Sequence, residues 1–176
     1  MRLKENSTCP IFKVKDIKGQ DIDLRNYKGK YTLVSFYRYA SCPLCNLRIS
    51  ELIENEPLLK EKGLSMIAFF ESSNDTLNKY MEKQKSPFPI IGDPKRKIYK
   101  NFGVEASLLG YIIGGLNLKR MSKAFSKGFK LGKSDGIKTL LPADFLLDSN
   151  HKIIRAYYGK DIGDHLPIEE LFALIR

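Results

Sequence analysis

The sequence predicts an α/β fold built on a mixed central sheet, and three observations carry that expectation. Apolar runs rich in β-branched and aromatic residues, at 31–37 and 64–70, alternate with segments of helical period. Strand, helix, strand in that order implies right-handed crossovers and a parallel core. The chain then ends on two further apolar runs, at 145–147 and 153–158, flanking the turn cluster Asp148-Ser149-Asn150-His151-Lys152, which predicts an antiparallel hairpin. With 176 residues, 43% of them hydrophobic, one domain can bury a core without disulfide staples.

Each element has a local reason. Ile11-Phe12-Lys13-Val14-Lys15 and Ile22-Asp23-Leu24 alternate and join through Lys18-Gly19-Gln20, so the chain opens on a hairpin. Tyr31-Thr32-Leu33-Val34-Ser35-Phe36-Tyr37 follows a turn and suits a central strand. The period then switches. Leu44, Leu47, Leu52, Ile53 and Leu59 recur at near-helical spacing, Pro43 fits the first turn, and Pro57 is expected to end or kink the helix. Residues 64–70 form the second buried strand, 74–85 a helix, 89–92 a short strand, and Asp93-Pro94 start a helical turn through Tyr99 and Phe102. A closing helix is expected from Pro167 to Ile175, with Asp164 near its capping position. Between Gly103 and Thr139 the chain is punctuated by glycines. There Leu118, Met121, Phe125 and Phe129 share one helical face and Lys119, Lys123, Lys127 and Lys130 another. That pattern predicts an amphipathic helix within an insertion at 104–138 of a single domain spanning 1–176.

The segment Cys42-Pro43-Leu44-Cys45 lies where strand gives way to helix. Unpaired backbone N–H groups and the positive end of the helix dipole stabilise a negative sulfur there. Thiols in such positions fall from about 8.5 to roughly 3.5–7.5. Two intervening residues at a helix start also suit a disulfide, with a Cα separation of about 5.5 Å. Cys42, at the N-terminal edge, is expected to be the more exposed, so thiol–disulfide exchange would begin at Cys42 and be resolved by Cys45. Arg38, before the loop, and Arg48, one turn past Cys45, are the cations in reach of a thiolate. Cys9 is expected to be an ordinary half-buried thiol and His165 to support the last helix.

Several classes are excluded as expectations. Three cysteines do not make a secreted disulfide framework, and beside the Cys42/Cys45 pair only Cys9, His151, His165 and carboxylates are left to complete a zinc site, so neither metal nor cofactor is expected. No apolar run has signal-peptide or bilayer length, which points to a soluble cytoplasmic protein without a transmembrane segment. The net charge is +10, and residues 119–138 hold seven basic side chains against Asp135 alone. No nucleic-acid motif accompanies them, so no nucleic-acid partner is expected; a solvated helix face is the first expectation for this stretch, and a docking surface for an acidic partner or membrane surface the second.

Four segments in this order resemble the AhpC/TSA (alkyl hydroperoxide reductase/thiol-specific antioxidant) redoxins, a peroxiredoxin-like branch of the thioredoxin fold. They are Cys9-Pro10-Ile11-Phe12 with the turn Asp16-Ile17-Lys18-Gly19; Gly29-Lys30-Tyr31-Thr32-Leu33-Val34-Ser35-Phe36-Tyr37-Arg38; Leu141-Pro142-Ala143-Asp144-Phe145-Leu146-Leu147-Asp148; and Tyr158-Gly159-Lys160-Asp161-Ile162-Gly163-Asp164-His165. The resemblance implies a thioredoxin-like fold and a thiol-dependent oxidoreductase that reduces peroxides and draws electrons from a thioredoxin-type thiol donor. Aligned on the last cysteine, it places the peroxide-attacking thiol at Cys45. Cys42 then stands at the family's Thr/Ser position, Arg38 at its proline position, and Pro142 where its supporting arginine would lie. Those same positions match a thioredoxin-like disulfide oxidoreductase, with Cys42 and Cys45 as the redox pair, Pro142 as a cis-proline and a protein disulfide as substrate. A redoxin-fold binding module without catalysis is the third expectation.

Overall fold

The computed structural model describes residues 1–81 and 84–175. Strands β1 (Lys13–Lys15) and β2 (Asp21–Asp23) pair antiparallel as the opening hairpin, with Val14 opposite Ile22. Asp16 ties its turn: Oδ1 accepts the N–H groups of Lys18 and Gln20, both at 2.9 Å. A 3-10 turn, Leu24–Tyr27, leads into β3 (Tyr31–Phe36). There follow α1 (Pro43–Glu61), β4 (Leu64–Phe70), α2 (Asn74–Met81), β5 (Ile90–Gly92), α3 (Lys97–Asn101), α4 (Leu108–Gly115), α5 (Leu118–Ser126), β6 (Ala143–Leu147), β7 (Ile153–Tyr158) and α6 (Ile168–Leu174).

The sheet has five strands in the order β5-β4-β3-β6-β7. Strands β3, β4 and β5 run parallel, and β6 and β7 join antiparallel, as the crossover and hairpin patterns predict. β3 is central, with β4 and β5 on one side and β6 and β7 on the other. Its alternating side chains feed two cores. Leu33, and Tyr37 just beyond the strand, pack with α1, α2 and α6; Val34 and Phe36 pack with the hairpin and α3 on the other side. Phe36 stacks on Phe69 at 5.1 Å and meets Tyr99 edge-on at 4.9 Å. The Tyr99 hydroxyl then donates to the carbonyls of Tyr37 (2.7 Å) and Phe69 (2.8 Å). This cluster fixes the strand ends from which the cysteine-bearing loop departs.

Three local expectations are corrected. Helix α1 runs through Pro57 to Glu61, so Pro57 does not end it. Pro57 is exposed, and buried Leu52 and Leu59 hold the turns on either side of it. Helix α2 is described over Asn74–Met81; of the longer expected helix, Glu82 and Lys83 lie outside the described residues. Helix α6 has no side-chain cap, because Asp164 instead accepts from the Tyr157 hydroxyl (2.8 Å) and the Lys160 N–H (2.8 Å). The stretch after α3 holds two helices. On α5, Met121 packs against the core and Ala124 is buried, but Leu118 and Phe125 face outward. Lys123 and Lys127 pair with Glu51 and Glu54 and hold α5 to α1, while Arg120 pairs with Asp161 in the loop after β7, so three charges expected on a solvated face are engaged. Among the described residues no helix is long and apolar enough to cross a membrane.

Candidate active site

The loop after β3 is locked before it reaches the cysteines. Glu71 N–H donates to the Arg38 carbonyl (2.8 Å), Ala40 N–H donates to Ser72 Oγ (2.8 Å), and Asn46 Nδ2 reaches back to the carbonyls of Ala40 (2.7 Å) and Cys42 (2.8 Å). Cys42 is thereby held as the N-cap of α1 with extended backbone, φ −73° and ψ 117°. Its Sγ accepts the Cys45 N–H at 3.3 Å, as an N-cap side chain does. Arg38 supplies the second contact: Nη2 donates to Cys42 Sγ at 3.0 Å. The guanidinium lies over the Tyr39 ring at 5.1 Å, and Nη1 donates to the Lys138 carbonyl at 2.6 Å.

These contacts separate the two thiols. Burial pushes Cys42 up, but the Cys45 thiol, the Arg38 charge and the Cys45 N–H outweigh it and bring Cys42 from 9.0 down to about 6. Burial and the adjacent Cys42 sulfur push Cys45 well above its ordinary value. Cys9, buried with no cation beside it, is pushed up to about 12. All three cysteines are free thiols. The expected difference in exposure between Cys42 and Cys45 is absent, since their accessibilities are 0% and 1%. Cys9 is likewise buried rather than half-buried, at 2%. What distinguishes Cys42 from Cys45 is charge stabilisation.

Arg48 does not join them. Its Nη2 donates to the Leu166 carbonyl at 2.5 Å, and its charge faces Asp144, a buried carboxylate on β6. Asp144 Oδ2 accepts from His165 Nδ1 (3.0 Å) and from the Leu166 N–H (2.8 Å). Burial raises the Asp144 carboxyl, but His165 and Arg48 hold it below its ordinary value. Arg48 and His165 thus anchor the segment before α6. Pro142 lies at the sheet end beside the loop, since the next residue, Ala143, pairs with Phe36. Its bond to Leu141 is trans, not the expected cis, and its carbonyl accepts the Gly159 N–H at 2.9 Å.

A strap of residues 131–139 closes over the thiols. Ser41 Oγ donates to the Lys133 carbonyl (2.9 Å), Ser72 Oγ to Asp135 Oδ1 (2.6 Å), and the Ile137 N–H to Glu71 Oε2 (2.8 Å). Together with the Arg38–Lys138 bond, these make the floor of the site and the strap one network. Glu71 is also paired with Arg96 at 3.2 Å; burial raises its carboxyl in spite of these partners. Two glycines allow the close approach. A Cβ at Gly132 would fall 2.7 Å from Ser41 Cβ and 2.6 Å from the Tyr80 hydroxyl, and one at Gly136 would fall 2.8 Å from Glu71 Oε2. The strap residues were not identified from sequence; the spacing of Gly132 and Gly136 was their only signal. Gly132→Val is expected to strain the closed strap by about 1–3 kcal/mol. That raises its open population, and the alkylation rate of Cys42 at fixed pH, roughly five- to hundredfold. Equal alkylation rates in the two proteins would show that the strap does not control access.

Among the described residues no group of three or more His, Cys, Asp or Glu is placed to hold a metal ion. Residues 6–156 match the AhpC/TSA family. The chain belongs to that family. Peroxiredoxin Q from Sedum lineare, a chloroplastic protein, is 27% identical over 113 residues, which are 64% of this chain and 61% of that protein. Peroxiredoxin Bcp from Escherichia coli K12 is 27% identical over 117 residues, 65% of this chain and 75% of that protein. The crystal structure of peroxidoxin BcpB from Mycobacterium tuberculosis superposes with a TM-score of 0.71 at 17% identity, covering 99% of this chain and 97% of that one. The fold is therefore thioredoxin-like, and this AhpC/TSA protein is a peroxiredoxin-like redoxin.

Proposed function

We propose that this redoxin is a thiol-dependent peroxidase in which Cys42 attacks and Cys45 resolves. The observation that carries the assignment is Arg38 Nη2 at 3.0 Å from the Cys42 sulfur, at the start of α1. The resemblance in sequence assigned attack on peroxide to Cys45; the electrostatics favour Cys42. The Cys42 thiolate attacks one peroxide oxygen, the O–O bond breaks, and the alkoxide or hydroxide leaves and takes a proton. The resulting Cys42 sulfenic acid condenses with the Cys45 thiol, forming the disulfide and water. A dithiol donor of thioredoxin type then reduces the disulfide and is itself oxidised. Arg38 stabilises the attacking anion and stands beside the site where the leaving oxygen becomes negative. A cytoplasmic setting, which keeps such donors reduced, belongs to the same proposal.

Thiol–disulfide exchange with a protein disulfide is the second reading, favoured by the separation of the two thiols into a thiolate and a protonated partner. A binding module without catalysis has no use for a buried guanidinium whose anionic neighbour is a thiolate. The deciding measurement is the second-order rate of oxidation by hydrogen peroxide and by an alkyl hydroperoxide. The peroxidase reading expects rates far above those of a free thiol. Because the Cys42 thiolate is the reactive form, the rate should rise about tenfold per pH unit below the Cys42 value and level off above it. With that value at about 6, the plateau is reached near neutrality. Oxidation no faster than a free thiol, with rapid turnover of a protein disulfide, would replace peroxide reduction by exchange.

A further inference from the structure

Helix α4 is turned the opposite way from an ordinary amphipathic helix. It buries Gly110 and Gly114 and exposes Leu108, Leu109, Ile112 and Ile113, with Leu116 and Leu118 extending the same ridge. These six side chains are 49% to 77% accessible. The roll of the helix is fixed by its glycines. A Cβ at Gly110 would fall 2.7 Å from the Lys160 carbonyl and 2.8 Å from Leu141, and one at Gly114 would run into Ile162. No rotation can carry the leucines inward while that approach is kept. The ridge is therefore a surface feature of the fold, and it is larger than the scattered apolar residues of an ordinary surface.

Its surroundings are cationic. No charged residue occurs from Ser107 through Leu118. Exposed Lys119 follows the ridge, and exposed Lys160 lies on the loop against which Gly110 packs. Exposed Lys138 precedes Thr139, whose carbonyl accepts the Ser107 N–H at 2.8 Å. The nearby acids are already paired, Glu105 with Arg2 and Asp161 with Arg120. A second copy of this chain would set one lysine-rimmed face of a +10 protein against another. An anionic bilayer satisfies both halves of the surface: the apolar side chains enter the boundary between headgroups and acyl chains, and the lysines meet lipid phosphates. We propose that the exposed face of α4 docks this redoxin onto an anionic lipid surface.

The test is cosedimentation of the full chain with phosphatidylcholine vesicles, with and without phosphatidylglycerol. Binding is expected only to the vesicles containing phosphatidylglycerol, and it should weaken as salt rises. Ile112→Ser combined with Leu116→Ser should abolish it, and Lys119→Gln combined with Lys160→Gln should reduce it roughly thirtyfold. Both double variants alter exposed side chains away from the thiols, so an unchanged Cys42 oxidation rate verifies that they are folded. Binding that ignores lipid charge, or that survives both double variants, overturns the proposal. So does a concentration-dependent dimer lost in the Ile112/Leu116 variant without any vesicle binding, which would make a second copy the occupant. A monomer that binds neither vesicle also rejects it.

Discussion

Cys42→Ser is expected to lower peroxide turnover by at least about three orders of magnitude. Cys45→Ser is expected to leave the first oxidation in place. In the Cys45 variant one equivalent of peroxide is consumed at a rate near that of the parent, a sulfenic acid accumulates at Cys42, and turnover fails because no internal thiol condenses with it. The argument is electrostatic, because exposure does not separate the two sulfurs. Both are buried, but only Cys42 accepts both the N–H at the start of α1 and the Arg38 guanidinium. Serine at position 45 retains a hydroxyl donor toward Cys42, whereas alanine removes it. The apparent thiol value of Cys42 should therefore rise further in Cys45→Ala than in Cys45→Ser. Mass spectrometry of the dimedone adduct after one equivalent of hydrogen peroxide distinguishes the cases. An adduct on Cys45 in the Cys42→Ser protein, formed at the parent's rate, would reverse the two roles and restore the assignment made from family resemblance.

The sequence revealed the features that depend on near neighbours. The β-branched run at 31–37, the period change after Cys42 and the hairpin around 148–152 are local patterns, and the sheet order follows from them because parallel neighbours need crossovers. The helix N-terminus beneath Cys42 was legible for the same reason. What the sequence did not reveal is non-local. Arg38 and Arg48 both lie within a few residues of the pair, and the choice between them is made elsewhere. A β6 carboxylate and the Leu166 carbonyl draw Arg48 away, while the Lys138 carbonyl, 100 residues along the chain, helps hold Arg38 over the sulfur. The strap is set by contacts of the same range, such as Ser41 with Lys133. The packing of α4 was not read from the sequence for a different cause. Its buried face is Gly110 and Gly114, and close backbone approach leaves no hydrophobic signal.

Arg38→Gln is expected to raise the apparent thiol value of Cys42 from about 6. The protein supplies its own reference for burial without a cation, since Cys9 stands at about 12. The Gln variant belongs between these limits, because Cys42 keeps the Cys45 thiol and N–H that Cys9 lacks. For each unit of that rise the thiolate fraction at pH 6 falls by up to about tenfold. A more basic thiolate is a better nucleophile, and a Brønsted slope of about 0.4–0.5 returns only about threefold per unit. The net loss in alkylation rate at pH 6 is therefore about two- to threefold for each unit of the rise. The gap should close as pH rises through the variant's own thiol value, and beyond it the variant should become the faster of the two. That crossover separates a charge effect from general damage to the site, which would slow the reaction equally at every pH. Peroxide oxidation should not cross over in the same way. There the guanidinium also stabilises the departing oxygen, so a deficit should persist above the thiol value, where alkylation has recovered. Parallel pH profiles for the parent and Arg38→Gln in both reactions would mean that Arg38 holds the strap through Lys138 and leaves the Cys42 sulfur electrostatically untouched.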